Sequence, residues 1–156
     1  MAKFLYPARL SRDEDGRVVV EFPDSPFAAT DGADVAEALA EASDGREEAL
    51  AFCISDGESM PAPSRPRKGR AAVAPGPVIA AKAALSQAVG EARLSKVALA
   101  ERLGVGEKEV RRMLDPRHPT KIPTLDRALA AVGQQVVLEV RDTPAQPVVK
   151  RHAGTA

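Results

Sequence analysis

The 156 residues are enough for one ordinary domain or two small ones, and 44% apolar with 28% charged side chains excludes a disordered or fibrous chain. Aromatic residues make up only 3%, so any core is built from Ala, Val and Leu and is modest in size. The net charge is zero but unevenly spread: residues 1–60 carry 5 basic and 14 acidic side chains, residues 61–156 carry 17 and 8, a split that suits two modules, one facing a basic partner and one a phosphate backbone.

The N-terminus, MAKFLYPARL, lacks the apolar stretch of a signal peptide. Residues 4–10 and 17–22 read as two strands joined by the polar SRDEDG, an antiparallel hairpin. The run VVV suggests that the second strand is covered on both faces. PDSPFAATDG, residues 23–32, carries two prolines, two aspartates and a glycine and reads as a loop.

Asp34, three residues before Glu37, forms a capping-box arrangement that opens a helix over residues 35–54. Val35, Leu39, Ala42, Ala49, Leu50 and Cys53 supply its apolar stripe. Gly45 interrupts it at a cost of about 1 kcal/mol relative to alanine. Residues 56–69, DGESMPAPSRPRKG, are a proline- and charge-rich linker. Residues 70–74 are a candidate third strand returning to the hairpin, giving a β-β-α-β order, an α+β sandwich of two layers. The longest apolar stretch, residues 71–81, contains Pro75, Gly76 and Pro77 and is too short to span a bilayer, so no membrane association is expected.

A helix from residue 77 or 78 to 93 comes next, tolerant of proline at its start. After it stands LSKVALAERLGVGEKEVRRMLDPRH, residues 94–118. With Ser95 as cap, Leu99 and Leu103 fall on one face and Ala100 lets the next helix approach. Gly104 supplies a left-handed turn and Val105 plugs it. The second helix starts near Gly106, packs Val110 and Met113 inward and ends at Asp115-Pro116. This spacing matches a helix-turn-helix, whose second helix enters the major groove; a purely structural helical pair with the same turn is the alternative. Outward positions are Glu107, Lys108, Arg111 and Arg112. The two arginines are the candidate base readers, since a guanidinium grips guanine with two hydrogen bonds. Lys108, Lys96, Arg117 and Lys121 are candidate phosphate contacts, which position without specifying. A further helix is expected over residues 124–132, capped by Thr124 and stopped at Gly133. QVVLEV, with Gln135 first and Val140 last, reads as a strand that needs an edge to pair with. Its copy in a second chain would supply one and make a homodimer; pairing within the chain is the rival. Residues 141–156 read as a disordered tail.

Enzymatic readings fare poorly. Cys53 is the sole cysteine, which fits a reducing cytoplasm and a small buried hydrophobe. Asp13, Glu14 and Asp15 before Gly16 resemble part of a calcium loop, but Phe22 then stands where a bidentate glutamate is needed. His118 and His152 lack metal-ligand spacing. No catalytic residue, metal or cofactor is expected.

Taken together, YPARL, DEDGRVVVEFPDSPFAATDG, DGESMPAPS and the helical half from KAALSQAV to LDRALAAVG resemble the HicB antitoxins in their helix-turn-helix version, over residues 3–140. The resemblance implies a partial ribonuclease-H-like first domain without the activity, followed by an all-α helix-turn-helix domain with a C-terminal dimerisation strand. The implied boundaries are 1–60 for the toxin-binding core, 61–76 for the linker with a possible third strand and 77–140 for the DNA-binding and dimerisation domain. It implies a HicA-type toxin, a small basic mRNA endonuclease whose catalytic histidine the antitoxin occludes, and operator DNA as partners. It places the toxin-facing loop on Phe22, Pro23, Asp24, Phe27, Thr30 and Asp31, and the DNA-facing helix on residues 106–114, with Gly106 replacing the usual hydroxyl cap. Ser25 stands where the family often has a bulky residue. A stand-alone regulator whose first module senses another partner, and an RNA-processing enzyme using the N-terminal acids, are the rival readings.

Overall fold

A computed structural model describes residues 4–142, with the side chains of residues 26 and 27 excepted. The chain begins with three antiparallel strands, β1 (Tyr6–Arg12), β2 (Val18–Phe22) and β3 (Ser25–Gly32), continues through α1 (Val35–Asp56), and returns as β4 (Ala71–Val73). Helices α2 (Pro77–Glu91), α3 (Lys96–Leu103), α4 (Glu107–Leu114) and α5 (Ile122–Ala130) complete it. The class is α+β, and the sheet order is β3-β2-β1-β4.

Among the strands, two expectations need correction. The order is β-β-β-α-β, because residues 25–32 are not a loop: they pair antiparallel with β2, from Phe22↔Ser25 to Val18↔Gly32, across an irregularity at Glu21/Phe22. An edge strand has one row of backbone groups without a ladder partner, so a proline there need not break the pairing. Nor is VVV covered on both faces. Val18, Val20 and Phe22 are buried under α1, while Val19 and Glu21 alternate to the half-open face, the ordinary pattern of an antiparallel sheet with one covered side.

The remaining elements obey local chemistry closely. In the hairpin turn, Asp13 Oδ1 accepts from the N–H groups of Asp15 and Arg17 at 3.0 and 2.9 Å. Across β1 and β2, Arg9 pairs with its register partner Glu21. Asp34 Oδ1 accepts from Glu37 N–H at 2.9 Å, and Glu37 Oε2 reaches back to Ala33 N–H, which satisfies two N–H groups at the start of α1. Gly45 does not interrupt α1, which runs unbroken for 22 residues. Strand β4 pairs with β1 through Tyr6↔Val73 and Ala8↔Ala71.

Three apolar clusters hold the molecule. Tyr6, Ala8, Val18, Val20, Phe22 and Val73 of the sheet meet Val35, Ala38 and Ala42 of α1. Leu85, Leu99, Val110, Met113, Leu125 and Leu129 form the interior of the helical half. Between them, Leu50 and Ala51 of α1 pack on Ile79 and Ala83 of α2. Polar ties reinforce that junction: Gly76 N–H donates to Glu47 Oε1 at 2.7 Å and Ser43 Oγ donates to the Ala74 carbonyl at 2.7 Å.

The last helix and the segment after it also depart from expectation. Helix α5 starts at Ile122, two residues before Thr124, with Lys121 at its N-cap and a proline in its first turn; Pro123 is tolerated there because its missing N–H would have had no helical partner. Residues 135–140 form no strand within the described residues. Val136 is held by its N–H on Asp126 Oδ1 at 3.1 Å, but Val137, Leu138 and Val140 are exposed. Among the described residues, no strand of the same chain pairs with this segment to complete a ladder. Of the tail assigned to residues 141–156, residues 143–156 lie outside the described residues.

Candidate nucleic-acid and partner interfaces

The α3–α4 pair is assembled as its spacing requires. Ser95 Oγ accepts from Ala98 N–H at 3.0 Å and opens α3. Gly104 closes it with φ of 66°, a left-handed conformation that glycine takes without steric penalty. The Val105 N–H then folds back onto the Ala100 carbonyl at 3.1 Å. Ala100 is buried, and Leu99, Val110 and Met113 pack inward. Helix α4 therefore has a sharply divided surface, with its charged side chains turned outward.

Lys96, Lys108, Arg111, Arg112, Arg117 and Lys121 are all exposed, and Glu107 is half-buried. Lys108 and Arg112 line a cleft of about 490 Å³ together with Gly106 and Lys121. His118, Thr120 and Thr124 also line it; the sequence marked His118 as a helix-end or phosphate neighbour and Thr124 as a helix cap, and did not mark Thr120. Arg111, Lys96 and Arg117 lie outside this cleft. Arg111 Nη2 is tied to Glu107 Oε1 at 2.6 Å, one turn back on the same helix. Arg117 lies 3.8 Å from Glu48 on α1. The cleft is thus cationic, flanked by Glu109, and suited to an anion such as a phosphate.

Lys82, on α2, was not singled out by the sequence. It is fully buried. Its Nζ donates to the carbonyls of Arg112, Asp115 and His118 at 3.1, 2.5 and 2.7 Å. Burial pushes its pKa below the ordinary lysine value, while the Asp115 charge acts the other way. Three acceptors around one nitrogen call for all three N–H groups of the ammonium form.

The surface expected to meet a protein partner is more mixed. Phe22 is 3% exposed and sits in the core beneath Arg46, whose guanidinium carbon lies 3.7 Å from the ring centroid. Phe22 therefore shapes the β2–β3 turn from below. Pro23 is exposed. Asp24 is half-buried, and its Oδ2 accepts from Ser64 N–H at 2.8 Å. The Tyr6 hydroxyl donates to the Pro61 carbonyl at 3.0 Å, so the segment after α1 is fastened to the sheet at two points. Asp24, Arg65, Arg67 and Arg70 line a small cleft of about 160 Å³ there. Asp31 is ion-paired with Arg17. Thr30 is half-buried and its Oγ1 has no hydrogen-bond partner. The Phe27 side chain lies outside the described residues.

Arg46 is the second residue missed. It is 3% exposed, stacked on Phe22 and 4.9 Å from the Tyr6 centroid, with Nη1 donating to Ser25 Oγ at 3.1 Å. Burial lowers its pKa, with nearby Tyr6 and Asp24 opposing. The small Ser25 supplies an acceptor for Nη1, while the buried Nη2 has no hydrogen-bond partner. Among the described residues no group of three or more His, Cys, Asp or Glu could hold a metal ion, and no helix is long and apolar enough to cross a membrane.

The profile described as a HicB-like antitoxin of bacterial toxin–antitoxin systems matches residues 5–84, from β1 into α2. The chain belongs to the HicB-like antitoxin family. It is 36% identical over 135 residues to Antitoxin HicB 1 of Photorhabdus laumondii, covering 86% of each chain. It is 39% identical over 133 residues to Antitoxin HicB 2 of the same organism, covering 85% of this chain and 94% of the relative. Antitoxin HicB of Escherichia coli K12 is 32% identical over 133 residues, with 85% and 96% covered. The HicB-like profile ends before α3, but these alignments span most of the chain and so take in more than the sheet and α1.

Proposed function

We propose that this HicB-like antitoxin is a two-sided, non-enzymatic regulator. Its first half, residues 1–60 with the linker 61–76, is a partial ribonuclease-H-like module that binds and neutralises a HicA-type mRNA endonuclease. Its second half, residues 77–140, is a helix-turn-helix module that binds operator DNA and represses its own operon. Both act in the cytoplasm.

The observation that carries the DNA reading is the outer face of α4, where Lys108 and Arg112 share a cationic cleft with Lys121 and Arg111 stands exposed beside them. Arg111 and Arg112 read base edges; Lys96, Lys108, Arg117 and Lys121 hold phosphates; Gly106 and Glu107 start the helix at the groove. The exposed Val137, Leu138 and Val140 favour a homodimer in which residues 135–140 pair with their copy, spacing two α4 helices for successive half-sites. On the other side, the acid-rich first half attracts a basic toxin, with Pro23, Asp24, Phe27, Thr30 and Asp31 around the β2–β3 turn as its contact region.

Co-expression with the adjacent small open reading frame tests the toxin reading. Expected are co-purification of the two chains and rescue of growth that the small protein alone arrests. Arrest that persists despite soluble co-expression contradicts it.

A further inference from the structure

Helix α4 ends without a glycine. Its C-cap residue, Asp115, has extended backbone, so the helix cannot finish with the left-handed turn that would satisfy its last carbonyls. Lys82 answers that need from a different helix. Its ammonium takes the carbonyls of Arg112, Asp115 and His118 together, at the end of α4 where the helix dipole is negative. Apart from the longer-range attraction of the Asp115 carboxylate, the carbonyls are what this charge serves: Lys82 is 0% exposed and takes part in none of the close ion pairs found among the described residues.

The three carbonyls bracket the cationic surface. Arg112 carries one of them and lines the cleft beside α4. Arg117 lies between Asp115 and His118, and Lys121 stands three residues on. A single nitrogen therefore fixes the end of α4 and the approach to α5 against α2. We propose that Lys82 is a positioning residue for DNA binding: without touching DNA, it sets the mutual placement of Arg112, Arg117 and Lys121 so that Arg117 and Lys121 meet phosphates while Arg112 faces a base edge. This rests on the DNA reading given above.

The test uses the full chain and a duplex carrying the sequence immediately upstream of its own coding region, with a scrambled duplex of equal length as control. Binding is titrated across a salt series for the unaltered protein, for Lys82→Met and for Lys82→Gln, with far-UV circular dichroism reporting folding. Expected for both variants are native helix content, affinity for the upstream duplex lowered on the order of tenfold and a log–log salt slope shallower by about 1–2, the signature of one or two lost phosphate contacts. A merely structural role lowers the active fraction and leaves the slope unchanged, and that result overturns the proposal. So does unchanged affinity, or failure of both variants to fold. Absence of binding by the unaltered protein removes the DNA reading itself and the proposal with it, whereas normal binding by the unaltered protein and by both variants removes the proposal alone.

Discussion

Replacing Gly45 with alanine should stabilise the protein, and replacing Gly32 with alanine should do the opposite. Gly45 lies in the interior of the 22-residue α1 and is exposed. A Cβ there would stand 3.6 Å from Thr30 Cγ2, an ordinary contact. The gain is therefore the intrinsic preference of a helix interior for alanine, about 1 kcal/mol, with only a few tenths added by the new contact. For a chain of this size that corresponds to a rise in Tm of about 2–4 °C. Gly32, at the β3–α1 corner, is buried, and a Cβ there would fall 2.8 Å from the Ala38 Cα and closer still to its N. That backbone belongs to the first turns of α1 and cannot move without lifting the helix from the sheet, so overpacking should cost about 1–3 kcal/mol. Urea unfolding monitored by circular dichroism measures both. A Gly45→Ala protein no more stable than the original would refute a continuous α1, and a neutral Gly32→Ala would refute the tight corner.

Arg46→Met should cost little, about 1 kcal/mol, because the thioether keeps the packing on Phe22 and removes a charge that burial disfavours; Arg46→Ala should cost about 2–4 kcal/mol through the cavity it leaves, and equal denaturation midpoints would contradict this. Burial raises the Tyr6 pKa above the ordinary 10.0, so unfolded chains lose the phenolic proton first. The stability this gives is whole below about pH 10 and fades as pH climbs toward the folded value. Tyr6→Phe should therefore flatten the alkaline fall in stability between pH 9 and 11 while losing about 1 kcal/mol at pH 7 with its hydrogen bond to the Pro61 carbonyl; an unchanged alkaline slope would refute the assignment. Glu107→Gln should release Arg111 and tighten DNA binding several-fold in gel-shift titrations, since the exposed pair itself is worth only about 0.3–0.5 kcal/mol; weaker binding would show that the pair orients Arg111.

Much of this was legible residue by residue. Asp34 with Glu37, Ser95, Gly104 and the inward Val110 and Met113 carry local signals whose physics is short-ranged, so their elements can be read from the sequence. Strand β3 was hidden because Pro, Asp and Gly punctuate both loops and edge strands, and only the β2 partner distinguishes them. Gly45 misled in the other direction: a propensity cost of about 1 kcal/mol is small beside the burial of Ala38, Ala42, Leu50 and Ala51 along the same helix. The α4 charges were visible because they are local to one helix, whereas the gathering of His118, Thr120 and Thr124 beside them depends on how the segment before α5 folds back. Lys82 and Arg46 could not be found from spacing. Each is a charge on a largely apolar helix face, and its meaning lies in acceptors and rings 20 or more residues away.

Two separable surfaces in one chain are the central claim, and the Lys108→Ala, Arg112→Ala double variant addresses it directly. Growth rescue against the adjacent small protein and binding to the upstream duplex are measured on the same preparation. Full rescue is expected, with DNA binding reduced by about thirtyfold or more, about 1–3 kcal/mol for each lost contact. Loss of rescue together with loss of binding, or binding that survives both substitutions, would contradict it.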